Sequence, residues 1–143
     1  MKKRLVFLLL LLVMVVLCGC GAKAKVDSAI GALTIRRITF ETEYAGLAPD
    51  AGDLLCVVAM KANGTIDESR LRDTFCAEDG TNVATLAVDG GAPADCIAVG
   101  TQGNPKDEEV EYILIFKVPA SAEKAPNLSL QVPGFSSVAI KGK

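Results

Sequence analysis

The sequence predicts an all-β domain, an antiparallel sandwich or barrel, carried behind a discarded N-terminal signal helix and a short tether. Three observations lead there. Beyond residue 31 the apolar residues recur mostly with the period of two that a strand imposes, in runs of five to ten. Turn signals break these runs at short intervals: Asn63-Gly64, Asp79-Gly80, Asp89-Gly90-Gly91 and Pro133-Gly134. Those intervals are too short for βαβ units, so a sandwich or barrel is expected.

The N-terminal segment comes first. Thirteen apolar residues run unbroken from Leu5 to Leu17 behind Lys2, Lys3 and Arg4. A helix crossing the hydrocarbon core needs about 20 apolar residues, so the run is too short to span, but it fits the h-region of an export signal. It ends in Leu17-Cys18-Gly19-Cys20. This resembles the lipobox of bacterial lipoproteins. The resemblance implies cleavage between Gly19 and Cys20, a diacylglycerol thioether on Cys20, and a mature chain beginning at that cysteine. Cys18 fits worse, because Leu17 stands before it where the pattern has a small residue. Two acyl chains hold a protein on a bilayer stably where one does not.

The expected domains are therefore a signal peptide over 1–19, a lipidated cysteine and tether over 20–31, and a single β-domain over 32–143, a size usual for one domain. From Cys20 onward the chain has 12 basic against 17 acidic side chains, a net charge of −5. That sign disfavours nucleic acid or anionic headgroups as surface partners. The tether "GAKAKVDSAIG", 21–31, is small and polar and reaches at most roughly 35 to 40 Å, which keeps the domain near the membrane.

"LTIRRITF", 33–40, puts Leu33 and Ile35 on one phase and Ile38 and Phe40 on the other, so a bulge is expected at Arg36-Arg37. "DLLCVVAMK", 53–61, is apolar on both phases, as in a central strand. In 66–80, Asp67 to Arg72 offers a helical turn and Phe75 to Ala77 a short apolar patch. Strands are expected over 81–88 and 95–99. "VEYILIFKVP", 110–119, is the strongest strand, with Val110, Tyr112, Leu114, Phe116 and Val118 on one face and Pro119 as terminator. "LSLQV", 128–132, and "SSVAIK", 136–141, close the fold.

The long "LLCVVAMKANG" strand, the "FCAEDG" segment read as a hairpin and the "YILIFKVP" strand resemble the telokin-like, immunoglobulin-like domains of many bacterial lipoproteins. The resemblance covers about 32–141. It implies an immunoglobulin-like antiparallel β-sandwich on a lipid anchor and no enzymatic activity; such a fold does not by itself fix function.

Three cysteines stay inside the domain: Cys56, Cys76 and Cys96. Outside the cytoplasm a disulfide is permitted, and an odd count leaves at least one thiol free within the chain. In a simple meander Cys76 and Cys96 lie two strands apart, roughly 10 Å, beyond the about 7 Å that a disulfide bridges. Buried inert thiols and one disulfide both remain open.

The chain has no histidine, so Ser-His-Asp and Cys-His catalysis cannot be assembled, and no CxxC or histidine spacing offers a zinc set. No cofactor is expected. Asp50 and Asp53 flank a turn, and Asp107, Glu108, Glu109 and Glu111 cluster before the long strand. They read as solvated loop acids, with a two-carboxylate hydrolase as the enzymatic alternative. The expected function is thus non-catalytic: an extracytoplasmic module, held on the membrane through Cys20, that binds a protein or another envelope component. A hydrolase using loop carboxylates, or a thiol-redox protein, is the competing class.

Overall fold

A computed structural model describes residues 24–103, 110–125 and 127–141. The signal peptide, Gly19 and Cys20 lie outside the described residues. Eight strands make up most of the domain: β1 (Lys25–Ser28), β2 (Gly31–Glu41), β3 (Asp53–Ala62), β4 (Thr85–Val88), β5 (Ala94–Gln102), β6 (Glu111–Pro119), β7 (Asn127–Gln131) and β8 (Val138–Lys141). One helix, α1 (Glu68–Phe75), follows β3, and a 3-10 turn (Ala120–Lys124) follows β6. All pairings are antiparallel, in the order β1-β2-β3-β6-β5-β4-β7-β8. The all-β expectation holds.

The tether expected over 20–31 needs correction. Within it Lys25–Ser28 pairs with Thr34 through Gly31 as an edge strand. Its alternation is short but real: Val26 and Ser28 point inward and are buried. The reversal works because Gly31 takes φ +106° and the Ser28 hydroxyl donates to the Gly31 carbonyl at 2.8 Å.

β2 carries the bulge expected at Arg36-Arg37: its register against β3 slips between Ile35 and Arg37. The extra residue returns Ile38 and Phe40 to the face that Leu33 and Ile35 occupy, so all four pack on one core. β3 is central and buried on both faces. Cys56, Val58 and Met60 enter the main core, while Leu55, Val57 and Ala59 enter a second, smaller cluster behind the sheet. β6 does the same, sending Tyr112, Leu114, Phe116 and Val118 inward and Ile113 and Ile115 outward.

The helical turn expected at Asp67–Arg72 is a full two-turn helix. Leu71 and Phe75, one turn apart, are wholly buried, and Glu68 pairs with Arg72 at 3.1 Å on the exposed side. The "FCAEDG" segment ends that helix and enters a short antiparallel reversal closed by the bridge from Cys76 to Val83, smaller than the hairpin of two strands expected. The strand expected over 81–88 shrinks to Thr85–Val88. Ahead of it Asp79 accepts from the Thr81 N–H and hydroxyl, at 3.0 and 2.6 Å, and holds the chain in a turn; only an isolated bridge joins Cys76 to Val83. The strand expected over 95–99 lengthens to Gln102, because β6 gives it a partner as far as Glu111.

β4, β7 and β8 form a smaller part of the sheet, joined to the rest by Thr85↔Asp95 and Leu86↔Ala94. Their inward residues, Leu86, Leu128, Leu130 and Ile140, lie in the same core as Val26, Leu33 and Ile35 from the other end of the strand order. No helix among the described residues is long and apolar enough to cross a membrane.

Candidate functional site

The outward face of β2, β3, β6 and β5 builds a concave surface on a defined support. Its floor is Val57, Ile113, Ile115 and Ala98, which the strand period places on one side. Arg37, Thr39 and Glu41 line the β2 side, and Gly100 to Gln102 line the β5 side. The groove holds about 660 Å³.

The connection after β2 covers part of this floor. Tyr44 and Leu47 exchange backbone hydrogen bonds of 3.0 and 2.8 Å across Ala45 and Gly46, which have φ of +50° and +81°. Positive φ at both central residues defines the tight I′ type of reversal. That reversal lays Tyr44 and Leu47 against the second apolar cluster. The Tyr44 hydroxyl then donates to Gln102 Oε1 at 3.1 Å and ties the cover to the end of β5. At the same end Arg37 Nη1 donates to both carboxylate oxygens of Glu111, at 2.9 and 3.1 Å. The result is an apolar floor with a charged and amide rim, suited to noncovalent binding. Sequence reading did not find it; the outward apolar phase of β3 and β6 was the available signal.

Of the carboxylates singled out from sequence, Asp50 and Asp53 share one turn beside Lys117, and Glu111 stands at the other end of β6. The Asp50 carboxylate accepts from Lys117 Nζ at 2.7 Å, and that hydrogen bond and charge hold its pKa below the ordinary carboxylate value. Asp53 donates its backbone N–H to the Asp50 carbonyl at 3.0 Å, as a turn requires. Glu111 stands six residues from Lys117 along β6, so its carboxylate is roughly 20 Å from the Asp50 pair. A glycosidase pair works within about 10 Å. Asp107, Glu108 and Glu109 lie outside the described residues. Among the described residues no three cysteine, aspartate or glutamate side chains gather as a metal set.

The three cysteines are separate thiols. Cys56 is fully buried in the core, and burial pushes its pKa up to about 12. Cys96 is buried too, and burial with the neighbouring Cys76 also raises it to about 12. Cys76 bridges Val83, and the Cys96 N–H donates to the Ala84 carbonyl, so these segments follow one another in the order of a meander. Cys76 also caps α1, and its thiol reaches β5, donating to the Cys96 carbonyl at 3.2 Å.

Comparison with protein-family models, with curated proteins and with solved structures finds no match to this chain.

Proposed function

We propose that this protein is a bacterial lipoprotein, held on the outer side of a membrane through Cys20, whose domain is a non-catalytic module binding a protein or another envelope component. The domain is read as an immunoglobulin-like β-sandwich, with β1, β2, β3, β6 and β5 facing β4, β7 and β8. Support comes from the core that both sets of strands share.

The groove over Val57, Ile113 and Ile115 carries the binding reading. It pairs an apolar floor with a few oriented polar groups at the rim, the composition by which concave sites recognise partners. A rigid central sheet supplies the floor, so little ordering cost attends binding. The short segment between Cys20 and β1 keeps the groove at the membrane surface, raising its effective concentration for anchored partners.

The test is crosslinking in the native membrane with a photoreactive residue at Thr101, on the groove rim. One adduct is expected, and it should disappear when Thr39→Arg fills the groove while the variant keeps the wild-type Tm. Unchanged crosslinking in the folded Thr39→Arg protein overturns the groove as the site. Cys20→Ala is expected to release the protein from the membrane fraction, and retention there refutes the anchor independently of the groove.

A further inference from the structure

The three cysteines are not equivalent, and the register separates them. Cys56 on β3 and Cys96 on β5 both stand opposite Phe116 on β6, which lies between them. Two strand spacings put their Cα atoms roughly 9 to 10 Å apart, beyond the about 7 Å limit for a disulfide. Phe116 is wholly buried and fills the space between. Cys56 is therefore excluded from pairing with Cys96.

Cys76 is differently placed. It ends α1, where its N–H donates to the Arg72 carbonyl at 2.7 Å, and an isolated bridge to Val83 fixes its backbone. The Cys96 N–H in turn donates to the Ala84 carbonyl at 2.8 Å, so the residue after Val83 is locked to β5. These bonds direct the Cys76 thiol onto the Cys96 carbonyl at 3.2 Å, while the Cys96 thiol donates to the Ala98 carbonyl at 3.3 Å. Cys76 is half-buried and Cys96 is buried.

We propose that Cys76 and Cys96 form a redox-active pair that closes to a disulfide on meeting an external disulfide, tying the end of α1 to β5 while Cys56 stays a thiol. The half-buried Cys76 reacts first. Its thiolate attacks one sulfur of the external R–S–S–R, the reagent's S–S bond breaks, and one R–S⁻ leaves and takes up a proton. The Cys96 thiol then loses its proton and its sulfur attacks Cys76 Sγ, expelling the second R–S⁻. Two protein thiols are oxidised and one external disulfide is reduced to two thiols. The high proton affinity of the buried Cys96 makes the second step the slow one. The bond closes a loop of about 20 residues, long enough to restrict the unfolded chain appreciably.

The full chain, purified from its membrane, is treated with oxidised glutathione and then alkylated in denaturant. No lysine or arginine lies between Arg72 and Lys106, so trypsin leaves both cysteines on one peptide; a glutamate-specific protease that cuts after Glu78 separates them. The expected product is a Cys76–Cys96 cross-linked pair with Cys56 alkylated, and a Tm that falls by roughly 10 °C on reduction. Cys76→Ser, at the more exposed position, should fold and lose that reductant-dependent shift. A chain that stays fully alkylatable, keeps glutathione on Cys76 or links Cys56 overturns the proposal, as does a reductant-dependent shift that persists in Cys76→Ser.

Discussion

The Tyr112 hydroxyl accepts the backbone N–H of Ile66 at 2.8 Å, and the same oxygen donates to the Gly64 carbonyl at 3.3 Å. One buried phenol on β6 thus secures the turn that carries the chain from β3 into α1. Replacing Tyr112 with Phe keeps the ring but leaves the Ile66 N–H without its partner. The expected loss is about 1 to 3 kcal/mol, read as a lowered midpoint in urea at unchanged slope. A midpoint equal to wild type would show that water substitutes for the hydroxyl.

Phe116 is completely buried between Cys56 and Cys96, whereas its neighbour Lys117 points outward to Asp50. Phe116→Ala is expected to cost about 3 to 5 kcal/mol, and Lys117→Ala to change stability little, since an exposed ion pair contributes little. Thermal unfolding of the two variants checks the assignment of faces. Equal shifts would contradict it.

Gly46 sits at φ +81° with open space around the position of a Cβ, so only backbone strain opposes a side chain there. Gly46→Val should cost about 1 to 3 kcal/mol and loosen the reversal that seats Tyr44 and Leu47 over the groove floor. Hydrogen exchange at the Tyr44 and Leu47 amides is expected to accelerate more than exchange in β3. Uniform acceleration would mean that the cover and the sheet open together.

Asp50 and Asp79 both have pKa values held below their ordinary 3.8, Asp50 by Lys117 and Asp79 by the Thr81 hydroxyl and N–H. A depressed folded-state value means the stabilisation is fully present above the unfolded pKa and is lost as pH falls through the folded one. Unfolding midpoints should hold from neutral pH to about 5 and decline below about 4. In Asp79→Ala the acid decline should be shallower than in wild type. An identical decline would remove Asp79 from the account.

Native reduced protein should alkylate first at Cys76. Burial raises Cys56 from 9.0 to about 12, which leaves it roughly a thousandfold less thiolate near neutral pH than an ordinary thiol. Iodoacetamide labelling followed by peptide mass spectrometry checks the order, and rapid labelling of Cys56 would show that β3 opens readily.

Much of this domain is legible locally. The bulge at Arg36-Arg37 follows from a phase slip that would otherwise bury arginine, and the double-sided β3 follows from its unbroken apolar run. Turn chemistry at Asn63-Gly64 and Asp79-Gly80 is likewise local, because positive φ favours glycine regardless of what lies across the fold. β1 escaped sequence reading because a four-residue edge strand has too little alternation to stand out from a polar linker.

The sequence by itself determined that the chain is built of antiparallel strands, where most of them run and which residues turn inward, since side-chain period and turn preference act over a few residues. Only the tertiary structure decided that β6 lies between β3 and β5, that β4 pairs with β7, that Cys76 meets Cys96 while Cys56 does not, and that Tyr44 closes over Ile113 and Ile115. Those choices depend on which distant apolar faces bury together, and a strand carries the same alternation whichever neighbour it takes.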